Sequence, residues 1–294
     1  MAEKALAIDY EKIDLATQTR LLTLQNGAGH DKVICTLSPV NREGAKYHAL
    51  SYEWGEPSKD DPDIMVNNRK VQIRRNLFDA LRSSDLKEKS EEVAMMGNTF
   101  AGAIRVIAWL GLANDDSDLA MDLMSDDKSL DASLPSLSKD SHEGKALSAL
   151  CYRTYWRRVW IIQELHLARS FVVWCGAKFI PRDTIEDSVG ALNRVESPFN
   201  SDKIFEKNPA KQLNLARNLR RYSPRTMTLR WWLAICVSGD FQCSKKQDFV
   251  YALLDISADS EAAKKTFKVD YSKSSREGAD IFKISKARIS NRQS

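Results

Sequence analysis

Tyr155–Arg169, reading YWRRVWIIQELHLAR, gathers the residues best suited to chemistry. Gln163 and Glu164 stand in the middle of an otherwise apolar run, with Trp156 and Trp160 upstream and Arg157 and Arg158 between them. On one continuous helix over Trp156–Ala168, Trp156, Trp160, Glu164 and Leu167 share a face through i+4 and i+3 steps, while Val159 and Ile162 fall on another. A carboxylate bracketed by Trp and Leu is partly desolvated, which raises its pKa and makes it a usable acid or base. The competing reading pairs Glu164 with Arg157 or Arg158, so that the acid only orients the helix. A second candidate is Tyr52, Trp54 and Gly55, at the carboxyl end of an apolar strand, where open α/β sheets bind ligands. Its plain alternative is that the two rings fill the lower rim of the sheet.

Other chemistries find no support. The phosphate-cradling and nucleophile-elbow glycine motifs are absent, as is H-E-x-x-H. His48 and His166 have no third member to complete a nucleophilic set and read as structural histidines. Five cysteines (Cys35, Cys151, Cys175, Cys236, Cys243) form no C-x-x-C pair, so no metal site is expected. Trp231 and Trp232 read as helix core packing.

The elements that must position these residues alternate strand and helix, the signature of an α/β sheet with helices packed on it. Arg20–Leu24 and Val33–Leu37 are strand-like runs around Asn26-Gly27-Ala28-Gly29, and Tyr47–Gly55 is a strand closing in a turn. Ile64–Val66, Asn67-Asn68 and Val71–Ile73 make the clearest hairpin, because paired asparagines tolerate left-handed backbone. Asn76 is the expected cap of Leu77–Arg82. A helix over Lys87–Ala103 then feeds a strand at Arg105–Gly111. Asp115–Met124 reads as an acid-capped helix and Ser125–Glu143 as an exposed loop. Phe171–Gly176 and Lys178–Ile180 form a hairpin, followed by helices at Thr184–Val195, Ala210–Tyr222, Thr228–Val237 and Asp248–Ser257, the last capped by Asp248. Val269–Tyr271 is extended, and Ser272 opens a last amphipathic helix. Glu196–Pro209 is the expected boundary between an α/β domain (1–195) and a helical extension packing on it (196–294).

With 43% hydrophobic and 29% charged residues the chain is globular. Its 44 basic against 40 acidic side chains leave +4, too little and too dispersed for nucleic acid. The charged N-terminus lacks a signal core, no apolar run reaches membrane-spanning length, and five scattered cysteines, an odd number, fit a reducing cytoplasm.

Several ordered blocks resemble the fungal heterokaryon-incompatibility (HET) domain: Tyr47–Gly55 (YHALSYEWG), Ile107–Gly111 (IAWLG), Tyr155–Arg169, and Cys243–Leu254 followed by Val269–Tyr271. The resemblance spans roughly residues 17–272. It implies a cytoplasmic fungal protein of self/non-self recognition and programmed cell death. Its partners would be other incompatibility or signalling proteins, with homo-oligomers as a further option. The family is distantly similar in fold to Toll/interleukin-1 receptor (TIR) domains, some of which cleave NAD at the nicotinamide–ribose bond with one helical glutamate after a Trp-Cys pair. That analogy puts the catalytic residue at Glu164, where it would hold the ribose hydroxyls or stabilise an oxocarbenium-like centre. Tyr52 and Trp54 would be ring-stacking walls, with Ser51, Gly55, Trp156, Arg157, Trp160 and Gln163 as the surrounding motif residues. NAD would be the substrate, with no bound cofactor. An inactive relative that binds partners through a Trp-rich surface is the third reading.

One family block is missing. A stretch like Leu-Trp-Ile-Asp-Ala-Ile-Cys-Ile-Asn-Gln normally supplies an interior strand, yet here Leu81–Ser84 runs directly into Asp85–Ser90. Its loss removes ladder hydrogen bonds and core side chains. Either the sheet closes without it, or the chain is a degenerate or mis-spliced copy.

Overall fold

The computed structural model describes residues 12–14, 17–25, 32–83, 90–92, 96–195, 209–211 and 227–266. They belong to two compact units, Met1–Asn114 with Ala168–Arg182, and Asp115–Leu167 with Asp183–Ser294. The fold is α/β.

The first unit holds a nine-stranded sheet: β1 (Gln18–Leu24), β2 (Ile34–Asn41), β3 (His48–Tyr52), β4 (Asp63–Val66), β5 (Arg69–Gln72), β6 (Ser90–Glu92), β7 (Arg105–Trp109), β8 (Phe171–Cys175) and β9 (Lys178–Pro181). Their order is β5-β4-β2-β1-β6-β3-β7-β8-β9. Strands β6, β3, β7 and β8 run parallel, and β9 closes the edge antiparallel to β8. The near-continuous burial of β7 and β8 follows from that position, since a parallel strand is covered on both faces. The β4–β5 hairpin turns on Asn67 (φ 50°) and Asn68 (φ 62°), the doubly left-handed turn anticipated from the asparagines. The β1–β2 and β8–β9 pairs also form as expected, the second across Gly176 at φ 56°.

The interior slot is filled by β6. This three-residue strand, Ser-Glu-Glu, pairs antiparallel with β1 at three positions and parallel with β3 at one, His48 opposite Glu91. The sheet therefore stays continuous on a minimal polar strand. The helix expected over Lys87–Ala103 is corrected accordingly: Ser90–Glu92 is strand β6, and among the described residues of that span only α2 (Met96–Gly102) is helical. Helix α1 (Arg75–Ser83) begins before Asn76, so Asn76 is not its cap. Its amide instead donates to the Glu53 carbonyl at 3.0 Å, and Asp61 Oδ1 accepts from the Arg75 amide at 3.2 Å.

Among the described residues the second unit is helical: α3 (Ser117–Ser125), α4 (Asp127–Ser133), α5 (His142–Cys151), α6 (Trp160–Leu167), α7 (Arg182–Val195, all but its first residue), α8 (Leu229–Ser238), α9 (Asp248–Leu254) and α10 (Ser260–Thr266). Ser125–Glu143 is not a loop. Asp126 caps α4 through the Lys128 amide, a 3-10 turn follows at Leu134–Ser136, and Leu130 and Leu137 are buried. Asp116 precedes α3 without capping it, and accepts from or pairs with His142 Nε2 at 3.0 Å. Asp248 is the first residue of α9 rather than its cap, which is Gln247. The helix expected at Ala210–Tyr222 lies outside the described residues apart from a 3-10 turn at Pro209–Lys211. The boundary segment 196–208, Val269–Tyr271 and the helix after Ser272 also lie outside them.

Candidate functional site

Ser51, Tyr52, Trp54 and Gly55 lie in the sheet unit, at the carboxyl end of β3. Ser51 is buried opposite Ala108. Tyr52, Trp109, Trp174 and Phe179 stand in register across β3, β7, β8 and β9. Alternation along a strand fixes the face a residue takes, so register partners share one face and the four rings form a row. Ala80 and Leu77 of α1 pack on Tyr52 and Trp109, and Trp174 meets Phe179 edge-on with centroids 6.2 Å apart. Trp54 lies beyond the strand end, stacked on Tyr52 at 5.9 Å and 16°, and 54% exposed. Gly55 then turns the chain at φ 70°, a conformation that costs a side-chain-bearing residue about 1–2 kcal/mol. Tyr52 thus fills the rim while Trp54 offers an open ring face.

Trp156, Arg157, Trp160, Gln163 and Glu164 lie in the helical unit, on two elements rather than one. The expected Trp156–Ala168 helix is broken. Thr154–Arg157 is a 3-10 turn, Arg158 is extended, and α6 starts at Trp160. The cause is non-local: the Gln242 amide donates to the Arg157 carbonyl at 2.6 Å and the Val159 amide donates to the Gln242 carbonyl at 3.0 Å, a parallel bridge that withdraws these groups from any helix. Trp156 therefore leaves the face of Trp160 and Glu164; it is buried, and its indole donates to the Leu150 carbonyl.

Glu164 is 2% exposed, and Arg158 Nη2 donates to its Oε1 at 3.3 Å. Arg158 also lies over the Tyr155 ring at 5.6 Å. Arg157 instead pairs with Asp240. Gln163 is 1% exposed and donates to Asp255 Oδ2 at 3.0 Å, and the other oxygen of Asp255 pairs with Lys264 of α10 at 2.8 Å. Asp240, Gln242, Asp255 and Lys264 are thus partners that sequence reasoning missed. They come from loops and helix ends roughly eighty residues or more downstream, and no local spacing could link them to the motif. Together they clasp the motif to the helices that follow it.

Little else in this unit is poised for reaction. Burial pushes the Cys236 thiol far up, and burial with the nearby Asp248 carboxylate pushes Cys243 up to about 12, so neither is a ready nucleophile at neutral pH. His166 packs edge-on against Trp232 at 5.3 Å. Among the described residues, no three His, Cys, Asp or Glu gather as a metal would require. No described helix is long and apolar enough to cross a membrane.

Residues 82–164 match the family described as Heterokaryon incompatibility protein (HET). The matched stretch takes in Ile107–Gly111 and the motif as far as Glu164. A curated relative, "Heterokaryon incompatibility protein 6, OR allele" of Neurospora crassa, is 23% identical over 239 residues, covering 58% of this chain and 35% of its own length. No solved structure matches. The two matches support membership of the heterokaryon-incompatibility family, in line with the motif resemblance.

Proposed function

We propose that this chain acts as a heterokaryon-incompatibility-type protein in the cytoplasm, coupling self/non-self recognition to programmed cell death. It works by assembly with other incompatibility or signalling proteins, or with copies of itself. The observation that carries the assembly reading over catalysis is the bond between Glu164 and Arg158. The one acid of the motif with catalytic credentials is almost wholly covered and already engaged by a guanidinium from its own segment. Such an acid organises structure. Inducible expression in a filamentous fungus, followed by hyphal extension and vital-dye uptake, tests the function. Arrest and dye uptake are expected, and normal growth at matched protein levels overturns the proposal.

A second reading, hydrolysis of NAD at the nicotinamide–ribose bond, draws on the burial of Glu164 in an apolar helix. Purified protein incubated with NAD separates the two. Nicotinamide release abolished by Glu164→Gln, with the circular dichroism spectrum retained, favours the enzyme. No release at high protein concentration removes it.

A further inference from the structure

We draw no further inference here: the strongest candidate, the outward apolar stripe of α8 formed by the exposed Trp231 with the half-buried Ala234 and Ile235, is a helix face without a partner among the described residues, and nothing in the structure shows what covers it.

Discussion

Arg158→Ala would leave a carboxylate of 2% exposure without its cation, whereas Asp240→Ala would strip Arg157 of a partner that is itself 75% exposed. Those two losses differ in kind. Removing one member of a buried pair costs about 3–5 kcal/mol, while a pair open to solvent contributes about 0–1 kcal/mol. Urea unfolding should therefore show Arg158→Ala far below wild type and Asp240→Ala close to it; equal losses would refute the distinction. Asp61 supplies a pH-dependent counterpart. Its carboxylate accepts from the Ser58 amide, the Arg74 guanidinium and the Arg75 amide, and these hold it below the usual carboxylate range, the Ser58 bond first. A lowered folded pKa means its contribution is complete above the unfolded value of about 4 and is lost as pH falls through the folded one. Wild type and Asp61→Asn should thus differ in urea midpoint at neutral pH and converge in acid. At this scale, the sequence offered both arginines as partners for Glu164. It could not choose, because the choice depends on the break at Arg158, and that break is made by Gln242.

Among elements, the β4–β5 turn was the most legible, because Asn-Asn carries its left-handed preference within two residues. The asparagines are not equivalent, however. Asn67 accepts from the Leu37 amide at 2.8 Å and donates to the Leu37 carbonyl at 3.0 Å, stitching the turn to β2. Asn68→Gly should leave thermal stability within about 0.5 kcal/mol or raise it, since glycine suits positive φ. Asn67→Gly keeps the backbone freedom but loses both bonds, at a cost of about 1–3 kcal/mol. Helix α4 was illegible for the opposite reason. Its seven residues read as polar, and the cap at Asp126 and the buried Leu130 and Leu137 stand out only once packing is known. The Trp156–Ala168 periodicity was real in its second half, but a contact from far along the chain overrode it in the first.

At the scale of the whole molecule, alternating strands and helices announced an α/β protein, because each switch of period is local to its own stretch of chain. Segments 115–167 and 183–294 share one unit, with strands β8 and β9 lying between them in sequence yet belonging to the other. The sheet itself is uneven. β3 and β7 pair over five residues, whereas β6 meets β3 at one. Native-state hydrogen exchange should find Val106–Trp109 among the slowest amides and β6 with the facing part of β1 among the fastest of the sheet, because opening is governed by local bonding and burial. Uniform protection across all nine strands would contradict this.

The row of Tyr52, Trp109, Trp174 and Phe179 has a practical consequence. Four aromatic rings held in register across neighbouring strands keep their fixed, asymmetric surroundings only while the ladder between them holds. Opening of the sheet should therefore change the near-ultraviolet circular dichroism, and Trp109→Phe should remove the share of that change that belongs to the row.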